Sequence, residues 1–294
     1  MNICLLGLSG SGKTCYLYTA CHVLSNGVSV NEHTISATSR SRHQKLRLDK
    51  GIEQMADGIW PEGSIETITY PFDLKIDGRV IGQFTIYDYR GSALDGIRDD
   101  DQDVADELFD TFDDSSCIVF LIDGDTVMNA LNPEDLAPEH QDRVSFQRRL
   151  HARNKINYIE ALLQECNERM QRNVPILLSI TKRDIFTENE IQAGYQMLRE
   201  LLPSIFSKYN DKIVGITSVT LGENLQNNQN KLSGKLCLNT QGNIHIPLLF
   251  ALLLEIDEEG SRFDNPEEAK KLIQNVFTYD RIKLYRGGGI AWFV

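Results

Sequence analysis

Gly7-Leu8-Ser9-Gly10-Ser11-Gly12-Lys13-Thr14 follows the apolar run Ile3-Cys4-Leu5-Leu6 and opens into a helix-like segment from Cys15 to Leu24. A strand, a glycine-rich loop and a helix give the pattern G-x-x-x-x-G-K-T the context it needs to carry meaning. Gly7, Gly10 and Gly12 let the backbone bend so that successive N–H groups converge on one point. The positive end of the helix faces that same point. Such a nest accepts the phosphates of a nucleotide, with the Lys13 ammonium reaching the outer two. The Thr14 hydroxyl is placed to ligate Mg²⁺. The pattern predicts a site for a nucleoside triphosphate.

A chain of 294 residues can bury a large core. Its apolar runs stop well short of a membrane span; the longest, Pro247 to Leu254, fits a core helix. A chain that opens directly on the strand-like run from Ile3 is expected to carry no signal peptide. The six cysteines show no C-x-x-C spacing, and free thiols in a reducing compartment are expected, so the location expected is cytoplasmic. A net charge of −12 argues against a general nucleic-acid binder. Ten carboxylates against the single Arg98 fall between Asp95 and Asp114.

Along the chain, residues 26–64 read as a long polar connection with a short helix within Ser39 to Met55, ending in the turn Trp60-Pro61-Glu62-Gly63-Ser64. Ile65–Ile76 and Arg79–Tyr87, joined by Asp77-Gly78, read as a hairpin. Cys117–Ile122 and Ile176–Ile180 are continuous apolar runs of the kind fully covered parallel strands show. A long helix is predicted from about Gln141 to Arg172, another from Glu188 to Tyr209, and a strand over Lys212–Thr217. Residues 222–243 read as an Asn/Gln/Gly-rich insertion with a short hairpin. The predicted fold is α/β: a doubly wound, mostly parallel sheet with one antiparallel strand.

Motifs at the carboxyl ends of these strands converge on one crevice. Asp88-x-x-Gly91 could hold a water on Mg²⁺ and touch a terminal phosphate, while Thr181-Lys182-Arg183-Asp184 offers a carboxylate able to pair with both N1–H and the 2-amino group of guanine. Adenine lacks those donors, so its binding would strand a buried carboxylate. Thr217-Ser218-Val219 is a short turn whose N–H groups could meet guanine O6. A further Mg²⁺-directed hydroxyl is expected from Ser64 or Thr67, with Thr38 behind them.

On these residues the sequence resembles a Ras-like small GTPase of the TRAFAC class. Gly7–Thr14 matches its phosphate loop, Asp88–Gly91 its switch II motif, Thr181–Asp184 its T-K-x-D motif, and Thr217–Val219 is similar to its T-S-A motif. The resemblance covers residues 1 to about 222 and the helix at 247–258. The long first switch and the insertions are similar to stand-alone bacterial GTPases of conflict systems, the double-GTPase type. The resemblance implies a GTPase domain over residues 1–259, with insertions at about 124–172 and 222–243, and a C-terminal extension over 260–294. It implies GTP/GDP and Mg²⁺ as ligands, with Lys13, Asp88 and Gly91 acting in hydrolysis. Gly7, Ser9, Gly10, Ser11, Gly12, Lys13, Thr14, Cys15, Thr181, Lys182, Asp184, Ser218 and Val219 would hold the nucleotide. Thr14 and Asp88, with Ser64 or Thr67, would hold the metal.

Two alternatives stay open at this stage. One is an ATP-using enzyme in which Asp123 ends a Walker-B-like strand; the other is a nucleotide binder with little catalysis. The family usually carries Gln after the switch II glycine, and here the position is Ser92, too short to orient water in the same way. Slow intrinsic hydrolysis is therefore expected, with an effector or activating protein, or self-association, supplying the missing group. Single-turnover hydrolysis should slow on dilution if a second copy supplies it; a rate unchanged at great dilution would remove that idea.

Overall fold

The computed structural model describes residues 1–61, 66–89, 115–169, 174–228, 231–258, 266–278 and 281–291. Among the described residues the strands run in chain order as β1 (Asn2–Gly7), β2 (Val28–Val30), β3 (His33–Ser39), β4 (Ile68–Ile76), β5 (Arg79–Asp88), β6 (Cys117–Ile122), β7 (Ile176–Ile180), β8 (Val214–Ser218), β9 (Gly222–Asn228), β10 (Lys231–Leu236), β11 (Ile282–Arg286) and β12 (Gly289–Ala291). The main helices are α1 (Lys13–Asn26), α2 (Arg42–Ala56), α3 (Gly124–Ala130), α4 (Phe146–Arg169), α5 (Glu188–Leu201), α6 (Ile246–Glu258) and α7 (Pro266–Gln274).

Ten strands form one sheet in the order β12-β11-β8-β7-β6-β1-β5-β4-β3-β2. The inner pairs β5/β1, β1/β6, β6/β7 and β7/β8 are parallel, whereas β4 runs antiparallel to β5. This is a doubly wound order, with β1 at the point where the connections change direction. Successive residues of β1 serve opposite faces. Ile3 and Leu5 join the core beneath α1, α2, α6 and α7; Cys4 and Leu6 join the one beneath α3, α4 and α5. Every residue of β6, β7 and β8 is buried, as strands covered on both faces must be.

The sheet grows beyond the parallel core at both ends by antiparallel addition. β2 and β3 fold back on β4, and β11 pairs with β8 and carries β12. The strands β2 and β3 lie within the stretch expected to be a polar connection. Only Ile35 and Ala37 of β3 are buried, so its sequence, His33-Thr-Ile-Ser-Ala-Thr-Ser39, gives almost no hydrophobic alternation to read. The helix expected in the same stretch is α2, longer than foreseen, with Ser41 accepting from the Gln44 N–H at its start. It lies on α1: a Cβ on Gly51 would come within 2.2 Å of the Tyr18 ring. Enclosed by sheet and α2, α1 is buried almost all round. The C-terminal segment is likewise tied in, since β11 and β12 complete one edge of the sheet and Ala269, Leu272 and Ile273 of α7 enter the core. The Asp77-Gly78 hairpin turn is present, both residues having the positive φ that a type I′ turn requires.

The acidic segment 95–114, with Arg90, Gly91 and Ser92, and also Ser64, lie outside the described residues. Among the described residues no helix is long and apolar enough to cross a membrane.

His245, immediately before α6, is buried. Burial, reinforced by the neighbouring Arg281 charge, pushes its imidazole down to about 4. Unfolded, the ring takes a proton below its ordinary value; folded, it refuses one until far lower. Stability should therefore fall as the pH drops from 6.5, by about 2 kcal/mol at pH 5. Urea unfolding of the protein and of His245→Leu at pH 7.5 and pH 5 checks this: the variant should lose less on acidification, and parallel losses would exonerate His245.

Candidate nucleotide-binding site

The loop between β1 and α1 closes in the way its glycines predict. Gly10 and Gly12 both take left-handed φ values, 82° and 83°, and the Ser11 N–H donates to the Leu8 carbonyl at 3.1 Å. Gly7 has no room for a side chain, since a Cβ there would meet the Ser11 Oγ at 2.4 Å and the Leu121 carbonyl at 2.9 Å. The Ser11 hydroxyl is buried with no hydrogen-bond partner among the described residues. A buried polar atom left so is costly unless something not yet present satisfies it. Oxygen-rich phosphates fit that need, and they fit the convergent loop.

Lys13 is the centre of the charge arrangement. Its ammonium lies 2.8 Å from Asp88 Oδ1, with the two side chains 7% and 0% exposed. β5 is the parallel neighbour of β1 with Leu5 opposite Asp88, so the sheet register itself brings this acid to the loop. Thr14 is buried beside Lys13. Thr67 immediately precedes Ile68, the register partner of Asp88, so it reaches the same edge. Thr38 does not: it pairs with Asp73 on β4, five residues along the strand from Ile68 and so roughly 16 Å away.

A cavity of about 480 Å³ runs from Gly12, Cys15 and Tyr16 at the loop to Thr181, Lys182 and Asp184, with Trp60, Asp125, Ile185, Val219, Leu221 and Leu225 completing its wall. Burial pushes the Cys15 thiol up to about 12, so it serves as an inert wall rather than a nucleophile. At the far end, Lys182 adopts a left-handed backbone (φ 54°) and its ammonium spans Asp123 at 2.8 Å and Asp125 at 2.5 Å. Burial works against that charge, but the two carboxylates outweigh it and hold the ammonium above the usual lysine range. Fixed at its tip, the Lys182 stem becomes a stiff strut along the cavity wall. Gly124 makes this possible, since a Cβ there would meet the Thr181 carbonyl at 2.2 Å.

Asp184 is exposed and accepts from the Thr220 hydroxyl at 2.7 Å. The Tyr195 hydroxyl donates to the Ser218 Oγ at 2.8 Å from behind. The turn after β8 is spoken for: the Val219 N–H donates to the Ile180 carbonyl at 2.8 Å and the Thr220 N–H to the Gly242 carbonyl at 3.0 Å. Val219 reaches the cavity, but its N–H is already spent. Asp123, a possible phosphate-side acid from sequence, instead caps α3 through the Thr126 N–H at 3.2 Å and hydroxyl at 3.1 Å, beside Lys182. Trp60, Asp125, Thr220, Leu221 and Leu225 were not foreseen. Thr220 directly follows the Thr217–Val219 turn and was within reach of a motif reading; the others come from segments whose sequence carries no motif.

No family model matches the chain, and no curated protein matches it. Solved structures with similar folds include the elongation factor SelB from Methanococcus maripaludis in complex with the GTP analogue GppNHp, at 15% identity and a TM-score of 0.35 over 75% of this chain and 29% of that one. Another is the Roco2 RocCORdC unit of Methanosarcina barkeri bound to GDP, at 15% identity and 0.33, covering 75% and 43%. A third is the G domain of the T. maritima FeoB iron transporter, at 12% identity and 0.28, covering 75% and 87%. The chain spans less than half the length of the first two. Likenesses of this strength carry no functional weight; the strand order and the loop geometry are what define the fold.

The buried Lys13–Asp88 pair gives a direct test. Removing one member takes this ion pair from a charge that stays buried, at a cost of about 3 kcal/mol. Lys13→Met should lower the urea-unfolding free energy of the nucleotide-free protein by about that much. The double variant Lys13→Met, Asp88→Leu should recover much of the loss, and additive losses in a double-mutant cycle would show that the two do not interact.

Proposed function

We propose that the chain binds GTP and hydrolyses it to GDP and phosphate, and that the change of nucleotide is read by a protein partner. The observation that carries this reading is one cavity that runs from Gly12 of the phosphate loop, whose next residue is the buried, Asp88-paired Lys13, to the Asp184 carboxylate. That separation of a phosphate grip from a base reader is what a purine nucleotide requires. Gly7, Ser9, Gly10, Ser11, Gly12 and Lys13 hold the phosphates; Thr181, Lys182, Asp184, Ser218 and Val219 surround the base. Thr14 and Asp88, with Thr67 the favoured further hydroxyl, would hold Mg²⁺, which would supply charge neutralisation at the phosphates. Lys13 balances the charge that develops on the outer phosphates, and the segment from Asp88 through Gly91 follows their presence or loss.

The part of the first connection free to respond is narrower than its sequence suggested, because 28–56 is bound into β2, β3 and α2. That leaves residues 57–67 and 88–114 as the switching segments. With Ser92 after Gly91, hydrolysis is slow until a partner or a second copy contributes a group. The subtype this reading carries is the Ras-like one, in a bacterial cytoplasm, with residues 1–259 as the GTPase unit and 260–294 as an extension joined to its sheet.

An ATP-using enzyme would place Asp123 at the phosphates. Its ties to α3 and to Lys182 hold it at the base end instead, which favours the guanine reading. The discriminating experiment is competition of GTP and ATP for a fluorescent nucleotide, in the protein and in Asp184→Asn. The protein should prefer GTP, and the variant should lose guanine affinity about 10- to 100-fold, because the pairing carboxylate is gone. ATP competing as well as GTP, or an unaltered base preference in Asp184→Asn, would replace this reading with the ATP one.

A further inference from the structure

The insertion that follows β8 does more than extend the chain. β9 and β10 form a separate two-stranded hairpin, and Leu221 and Leu225 from it line the same cavity as Gly12 and Asp184. The hairpin rests on two elements at once: β9 packs against the turn Arg183–Ile185 that presents Asp184, and β10 packs against α2. Its root is shared with the base reader. The Thr220 hydroxyl lies 2.7 Å from Asp184 Oδ1 and 2.6 Å from the Gly222 carbonyl, and the Cys237 N–H ties the returning strand to the Leu221 carbonyl at 2.7 Å.

Within the hairpin the register slips between Ser233 and Lys235. Opposite the slip Asn224 takes a left-handed φ of 53°, and Gly234 takes 104° with no space for a Cβ, which would lie 2.5 Å from the Asn224 carbonyl. A bulge of this kind re-aims the side chain beside it, and such features gather next to functional sites. Here the neighbouring side chain is Leu225, half-buried in the cavity wall on a strand that is otherwise polar. A leucine held there by a strained bulge has no polar atom with which to read a base edge. It can only cover ring surface.

We propose that the β9–β10 hairpin is a fitted closure on the base end of the cavity, in which Leu225 covers the purine ring and sets how long the nucleotide stays bound. This rests on the guanine-nucleotide reading above and adds a division of labour to it: Asp184 chooses the base, Leu225 retains whichever base is chosen. Thr220 joins the two, so the carboxylate and the closure share one support.

The test is the dissociation of N-methylanthraniloyl-GDP from the full chain, chased with excess GDP, together with GTP/ATP competition. Leu225→Ala removes most of the apolar surface laid on the base and should release the nucleotide about tenfold faster, with the GTP-over-ATP preference unchanged. Gly234→Ala, which disturbs the bulge without touching the cavity, should act in the same direction, while Glu223→Ala, exposed on the same strand, should release at the wild-type rate. Guanine nucleotide binding with unaltered release in both Leu225→Ala and Gly234→Ala would overturn the closure and leave the GTPase reading standing. A shift in base preference in Leu225→Ala would overturn the division of labour. A wild-type protein that binds no guanine nucleotide would remove the reading beneath and the closure with it.

Discussion

A lysine ammonium and an aspartate carboxylate 2.8 Å apart, both withdrawn from water, fix the geometry of this molecule's functional edge. Neither charge could be buried alone, so the end of β5 and the start of α1 must stay together. The parallel pairing of β5 with β1 delivers Asp88 to that place, and the bend at Gly10 and Gly12 delivers Lys13. Every other site feature is measured from this pair. The unsatisfied Ser11 hydroxyl and the buried Thr14 flank Lys13 in the loop and helix start, and Thr67 precedes Ile68, the strand partner of Asp88.

The antiparallel additions to the sheet change what can move. A parallel core with a long free connection would leave some forty residues to respond to a ligand. β2, β3 and α2 take up most of that connection, with Gly51 pressed against Tyr18 of α1. Beyond them, Trp60 stands in the cavity wall and Thr67 precedes the strand partner of Asp88. The physical consequence is a helix α1 buried between sheet and α2, better anchored than a helix with one face in solvent.

At the base end, positioning is achieved by neighbours rather than by the recognised motif itself. Lys182 is held by Asp123 and Asp125, Asp184 by Thr220, and Ser218 by Tyr195. The turn after β8 spends its Val219 and Thr220 N–H groups on the protein's own carbonyls. On the guanine reading proposed above, selectivity at that end rests on one carboxylate and its hydroxyl support more than on a ring of backbone donors. The hairpin that follows places Leu221 and Leu225 in the same wall.

The fold class, the phosphate loop, the buried strands β6, β7 and β8, and the Asp77-Gly78 turn were legible because each has a local physical signature: glycine spacing, continuous apolar runs, or a pair of residues tolerant of positive φ. Asp88 and Asp184 were legible as residues at strand ends, though not in the contacts they make. Ile35 and Ala37 could not announce β3, because an edge strand with two buried side chains looks like polar loop until β4 is beside it. Nor could any local pattern reveal that Asp123 would turn to Lys182, that Thr220 would steady Asp184, or that a bulge at Asn224 and Gly234 would set Leu225 in the cavity wall. Sequence determined the strands and helices of the parallel core and where the glycine-rich loop begins. Only tertiary structure decided which side chains meet, since those meetings join residues dozens of positions apart through the register of a sheet.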